Sequence, residues 1–179
     1  MRTARAYLVV DDDEDVLKAA AFALASRDTR VDAARAPDGL GARAGDYDAV
    51  LLDMNFALGE RDGAAGLDAL AALKAADPSL SVVLMTTFGG VALAVEALKR
   101  GGTDFILKPW RNDALVGAMQ AAATLTAGRR EAAALGLAEV ERRAIAEALA
   151  ACDGNVSRAA ARLGLSRPAL YRRMERHGL

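Results

Sequence analysis

AYLVVDDDED, residues 6–15, holds the reading of the fold. Five apolar residues, 6–10, end abruptly in Asp11, Asp12 and Asp13. A run that short, without polar alternation, predicts a strand buried on both faces. The same kind of run recurs at 49–52, 82–85 and 105–107, and a weaker one at 29–33. Between the runs lie helical patterns. Leu17, Ala20, Ala21 and Leu24 follow the i, i+3, i+4, i+7 spacing, and Leu115, Ala118, Met119, Ala122 and Leu125 repeat it. Leu67, Leu70 and Leu73 mark another helix, which Asp77-Pro78 ends. The order βαβαβαβαβα predicts an α/β fold, a doubly wound five-stranded parallel sheet with helices on both faces.

In such folds the working site lies at the carboxyl ends of the strands. The first strand ends in Asp11, Asp12 and Asp13, the third in Asp53, the fourth in Thr86 and Thr87, the fifth in Lys108-Pro109. Carboxylates brought together repel one another, and a hard divalent cation relieves that repulsion. A few protein oxygens plus several waters suit Mg²⁺ better than a full Ca²⁺ cage. Lys108 adds a positive charge and Thr86 a hydroxyl. A cation, a lysine and a hydroxyl around one carboxylate make a receptacle for a phosphoryl group, with the carboxylate as nucleophile. An acidic helix start or a lone strand-end Asp is ordinary by itself. Their coincidence at four strand ends is what marks a site.

LVVDDDED, VLLDMN, VVLMTT and TDFILKP together resemble the receiver domain of two-component response regulators, a flavodoxin-like fold, over about residues 4–127. The resemblance implies phosphorylation of Asp53. It implies an Mg²⁺ site in which Asp12 and Asp53 bind directly, Asp11 acts through water and the Asn55 backbone carbonyl contributes. Lys108 would pair with the phosphoryl oxygens. Thr86, beside Thr87, would swing toward them, and Phe105 would turn inward as the coupled aromatic switch. The loop NFALGERDGAAG, 55–66, departs from the receiver pattern, being longer and lacking a proline, which bears on phosphoryl lifetime. Trp110 reads as packing.

Net charge is −1, but it is unevenly divided. Residues 1–127 hold 13 Lys+Arg and 18 Asp+Glu, whereas residues 128–179 hold 10 and 6. A basic tail behind an acidic front suggests a second module meeting a polyanion. Leu137, Val140, Ala144, Ile145, Ala148, Leu149 and Cys152 form one apolar stripe, and Asp153-Gly154 breaks it. Val156, Ala159, Ala160 and Leu163 form a second, Gly164 turns the chain, and Ser166 caps a last helix with Leu170 and Met174 inside. A short helix, a glycine turn and an arginine-bearing helix predict a small all-α helix-turn-helix domain. Residues 1–127, 128–136 and 137–179 are thus read as a receiver, a short linker and the helix-turn-helix domain.

GNVSRAA, LGLSR and LYRRMERHGL resemble the Fis-type helix-turn-helix, which also ends NtrC-type regulators. The resemblance implies that Asn155 and Ser157 approach the DNA backbone. Ser166, Arg167, Arg172, Arg173 and Arg176 would contact double-stranded DNA, with Arg167 reading a base. Ala169 stands where family members often carry a polar residue. The family also implies a homodimer with residues 137–152 in the interface. A sensor histidine kinase and RNA polymerase are the protein partners expected of such a regulator.

Other classes are disfavoured. There is no GK dipeptide, hence no P-loop and no central ATPase. Cys152, the single cysteine, forms no internal disulfide and reads as core. His177, the single histidine, reads as a helix-end residue. No apolar run of membrane-spanning length and no secretory signal is evident, so a cytoplasmic protein with no membrane association is expected. An aspartyl-phosphate phosphatase would want a second aspartate where Asn55 stands, so an enzyme is not expected. A relay protein whose tail only dimerises is the other alternative.

Overall fold

Alternation along the chain produces a sheet of five parallel strands: β1 (Arg5–Val10), β2 (Thr29–Ala34), β3 (Ala49–Asp53), β4 (Ser81–Thr86) and β5 (Asp104–Leu107). Their order is β2-β1-β3-β4-β5, so a topological switch falls between β1 and β3. The structure, a computed structural model, describes residues 4–56, 63–87 and 91–179. Most of the unusual loop after Asn55 lies outside the described residues.

β3 and β4 are buried along their whole length, which is why they read as unbroken apolar runs. Successive side chains alternate between two cores. Leu8, Val10, Val50, Leu52, Val82 and Leu84 face one side, where Leu70 and Leu73 of α2 (Ala64–Ala76) meet them. Tyr7, Val9, Leu51, Val83 and Met85 face the other. There they pack on Leu17, Ala20 and Leu24 of α1 (Glu14–Leu24), together with Leu115, Met119 and Ala122. A further helix, α3, spans Val91–Lys99. The edge strand β2 carries Arg30 and Asp32, and the buried Tyr47 hydroxyl donates to Asp32 Oδ2 at 2.9 Å. Charge on an edge strand discourages pairing with another sheet.

The connection between β2 and β3 differs from the expected α-helix. Leu40–Asp46 is a 3₁₀ helix. Its sequence, LGARAGD, holds two glycines and follows a third, and glycine costs an α-helix about 1 kcal/mol per residue.

α4 runs from Asn112 to Ala151 without a break. It passes through residues 128–136, read above as a short linker; alanine-rich sequence with no proline gives the helix no reason to stop. Its buried Thr126 hydroxyl accepts from the Ser81 N–H at 2.9 Å and donates to the Ala122 carbonyl at 3.1 Å, completing the start of β4. By internal contacts the chain divides into Met1–Arg129 and Arg130–Leu179. The second unit adds α5 (Val156–Arg162) and α6 (Arg167–His177) to the end of α4. Its core is small: Ile145, Ala148, Cys152, Ala159, Ala160 and Leu170. Gly164, at φ 67°, makes the turn between α5 and α6 in a conformation that glycine tolerates best. The apolar stripe of α4 is only partly used. Leu137 and Val140 are 71% and 65% exposed, because the core of this unit begins further along the helix. No helix among the described residues is long and apolar enough to cross a membrane.

Gly66 lets α2 approach the chain just past β3. A Cβ there would lie 2.7 Å from Met54 Cα and 2.8 Å from the Met54 carbonyl oxygen. Neither backbone atom can rotate away. Gly66→Ala is therefore expected to cost about 1–3 kcal/mol, the usual penalty for overpacking, measured by denaturant unfolding. A neutral effect would show that α2 is not held against Met54.

Candidate functional site

Strand ends converge on one rim. Asp11 follows β1, Asp53 ends β3, Thr86 ends β4 and Lys108 follows β5. The parallel register places Val10 beside Leu52, Asp53 beside Met85 and Thr86 beside Leu107. Side-chain oxygens of Asp11, Asp12 and Asp53 lie within 4.8 Å of one another. Asp11 and Asp53 are buried, while Asp12 is exposed.

Lys108 answers the two buried charges. Its Nζ donates to Asp11 Oδ2 at 2.5 Å and stands 2.7 Å from Asp53 Oδ1. Asp53 Oδ2 accepts from the Asn55 N–H at 2.9 Å, and Asp11 Oδ1 accepts from the Asp13 N–H at 2.9 Å. Burial pushes the Asp53 carboxyl above its ordinary range and Asp11 adds to that, while Lys108 and the Asn55 N–H pull it back. Burial opposes the charge of Lys108 as well, yet its two carboxylates outweigh that and raise it.

The remaining predicted residues take distinct places. Asp13 is the N-cap of α1, its side chain accepting from the N–H groups of Asp15 and Val16. Thr86 is buried, and its hydroxyl donates to the Thr87 carbonyl at 3.3 Å. Thr87 is exposed. Phe105 is half-buried against the α2-side core. Trp110 packs on the opposite core and, with Val16, Ala19, Lys108 and Pro109, lines an apolar cleft beside the pocket. Arg35 was not singled out by the sequence reading. Its guanidinium donates to the Asp12 carbonyl at 3.4 Å and approaches Glu14 at 3.9 Å, putting one cation at an acidic mouth.

In the second unit, Asn155 caps α5, its Oδ1 accepting from the Arg158 N–H at 3.1 Å, and Ser166 caps α6 through the Ala169 N–H at 3.4 Å. Ser157, Arg167, Arg172 and Arg176 are exposed, as are Arg158 and Arg162 on α5, which the sequence reading passed over. Arg173 is engaged within its own unit. Its Nε lies 2.8 Å from Glu141 Oε1 on α4, and the other oxygen of that carboxylate lies 2.8 Å from His177 Nε2. Glu141 thus holds α6 at two points one turn apart. Nothing local marked it, since the contact spans 32 residues to Arg173 and 36 to His177.

The hydrogen bond with His177 holds the Glu141 carboxyl below its ordinary value, assisted by the charges of Arg173, His177 and Arg176 against a burial effect of opposite sign. A depressed folded-state value means that its contribution to stability is complete above the ordinary glutamate range, about pH 4.3, and fades as pH falls through the folded value. Protection of α6 amides against hydrogen exchange should therefore decline in acid more steeply in the wild type than in Glu141→Gln. Equal acid slopes would show that the fork does not secure α6.

Comparison with known proteins places both units. Residues 7–120 match the family described as the response regulator receiver domain, and residues 136–177 match the Fis family of bacterial regulatory proteins. The photosynthetic apparatus regulatory protein RegA of Cereibacter sphaeroides is 31% identical over 172 residues, covering 94% of this chain and 89% of that protein. Chemotaxis protein CheY of Listeria monocytogenes is 36% identical over 80 residues, 43% of this chain and 65% of that protein. NtrX from Brucella abortus superposes with a TM-score of 0.63 at 32% identity, over 74% of this chain and 30% of that one. The N-terminal receiver domain of a Bacteroides fragilis response regulator gives 0.60 at 32% identity, over 68% of this chain and 98% of that one. The match thus spans just under two thirds of the chemotaxis protein and less than one third of NtrX.

Proposed function

The chain belongs to the response regulator receiver family and carries a Fis-type helix-turn-helix behind the receiver, the architecture of a non-enzymatic transcription regulator. From that premise we propose that phosphorylation of Asp53 by a sensor histidine kinase controls DNA binding by the tail. The observation that carries this reading is the Lys108 ammonium held between the buried carboxylates of Asp11 and Asp53.

The donor set suits a small hard cation. Three carboxylates whose oxygens lie within 4.8 Å supply hard ligands, and the exposure of Asp12 leaves room for waters, which Mg²⁺ retains. Asp12 and Asp53 would hold the ion directly, Asp11 through water, and the Asn55 carbonyl would complete the protein's share. Bound there, Mg²⁺ neutralises charge on the transferring phosphoryl oxygens. The protein's own groups do the rest. Lys108 favours the charged form of Asp53 against its burial, and the Asn55 N–H orients the carboxylate. An Asp53 oxygen attacks phosphorus, the P–N bond to the kinase histidine breaks, and the imidazole leaves with the bonding pair and takes up a proton. Lys108 then exchanges Asp53 Oδ1 for a phosphoryl oxygen. Thr86 turns from the Thr87 carbonyl toward the new group, and Phe105 moves inward behind it.

α6 then enters the major groove of double-stranded DNA. Arg167, at its first turn, reads a base edge, while Arg172 and Arg176 neutralise phosphates. Ser166, Asn155 and Ser157 approach the backbone. Arg173 adds charge from behind, tied to Glu141. A core of six buried residues, three of them alanine, leaves the tail short of buried area, and pairing with a second copy would supply it. The exposed Leu137 and Val140 support that dimer, whereas Cys152, within the same span, is occupied in the unit's own core.

Acetyl phosphate with Mg²⁺ is expected to add one phosphoryl group to the wild type and none to Asp53→Asn, read by intact mass. EDTA or Asp12→Ala should suppress the addition strongly. Undiminished labelling of Asp53→Asn would overturn the site.

The dimer has its own test. Leu137→Glu combined with Val140→Glu changes two solvent-facing residues, so the helices should persist by circular dichroism. Sedimentation of the phosphorylated chain on DNA should nevertheless shift from dimer to monomer. A dimer retained in that variant would place the interface elsewhere.

A further inference from the structure

α6 carries an aromatic residue that its packing does not use. Tyr171 is the only Phe, Tyr or Trp between residues 130 and 179, yet it is absent from that unit's core and 47% exposed. Leu170, its neighbour, is fully buried and Met174 packs beside it, so Tyr171 lies off the inward face of the helix. What it touches is Arg167. The Arg167 guanidinium carbon lies 5.6 Å from the centre of the Tyr171 ring, and Arg167 Nη2 donates to Tyr171 Oη at 3.3 Å. The two residues are four apart, one turn of helix, where side chains meet.

We propose that Tyr171 is a positioning residue for Arg167, holding the guanidinium over the first turn of α6 so that it meets a base edge in one orientation. This deepens the reading of Arg167 as the base-contacting residue and rests on it. Arginine is a long side chain whose free rotamers must be given up on binding. Stacking on the ring and the Nη2–Oη bond limit that freedom in advance, which is the general source of gain from preorganisation. One Nη2 hydrogen is spent on Oη. The other donors of the guanidinium remain for the paired acceptors of a guanine edge, and Arg recognises those by a planar, two-point contact. Tightening only the correct geometry favours the specific site over random sequence, because random binding needs charge rather than orientation. Tyr171 therefore bears on specificity, whereas Arg172 and Arg176 bear on affinity for any DNA.

A double-mutant cycle on the phosphorylated full chain decides it. The probes are a duplex selected by the wild-type chain from a randomised pool and a scrambled duplex of the same composition. The readout is the ratio of the two affinities. Arg167→Ala is expected to lower the ratio about tenfold or more, the loss of one base contact. Tyr171→Ala should lower it about two- to fivefold, the range of an exposed cation–π contact. Tyr171→Phe, which keeps the ring, should recover most of that loss. In the Arg167→Ala background, Tyr171→Ala should change the ratio no further. If Tyr171→Ala costs the same factor with and without Arg167, Tyr171 meets DNA itself and the positioning role is wrong. If Arg167→Ala lowers the ratio but Tyr171→Ala does not, the stack is idle and the positioning role alone falls. An unchanged ratio in Arg167→Ala removes the base-reading premise, and the positioning role with it.

Discussion

Two carboxylates buried at the end of a dry sheet are tolerable only with a cation between them, and Lys108 is that cation. Asp11 and Asp53 leave β1 and β3, neighbours in the sheet, and Lys108 arrives from β5 two strands away. Burying a charge alone costs several kcal/mol, and pairing offsets this only with close geometry and further hydrogen bonds. Both conditions are met, with backbone N–H groups of Asp13 and Asn55 taking the remaining carboxylate oxygens. The arrangement is also poised. One lysine serves two buried acids, contacts that a metal ion and a phosphoryl oxygen would redistribute.

The rest of the first unit holds those strand ends still. β3 and β4 are buried throughout, and each face of the sheet has its own apolar core, so the polar ends project from a rigid platform. Gly66 brings α2 against Met54, directly beyond Asp53. Thr126 on α4 satisfies the first N–H of β4, the strand that presents Thr86 at its other end.

The second unit solves a different problem with fewer resources. Three of its six buried core residues are alanine, so large side chains contribute less there than in the cores of the first unit. Polar contacts take a larger share: Asn155 and Ser166 cap its short helices, and Glu141 secures α6 at Arg173 and His177. The arginines of α6 thus divide by role. Arg173 secures the helix, Arg167 stacks on Tyr171, and Arg172 and Arg176 project into solvent.

What the sequence alone determined follows from local rules. Unbroken apolar runs identified four of the five strands, because a buried strand leaves a short signature that no long-range contact is needed to read; the edge strand β2, with Arg30 and Asp32, left only a weaker one. The pocket residues were legible for the same reason, each lying next to a strand end where apolar sequence turns polar at once. Ser166 announced itself as a cap, whereas the capping of α5 by Asn155 emerged only from the structure. Tertiary structure decided what depends on residues far apart in the chain. Asp11 and Lys108 are 97 positions apart, and only the sheet order makes them partners. The same holds for the close approach of Gly66 to Met54, the tie of Arg173 to Glu141, and the exposure of Leu137 and Val140 on a stripe whose later residues are buried in the unit's core. Periodicity states which residues share a face of a helix, but how much of that face is covered depends on where the neighbouring elements end, and that is settled only when the whole unit packs.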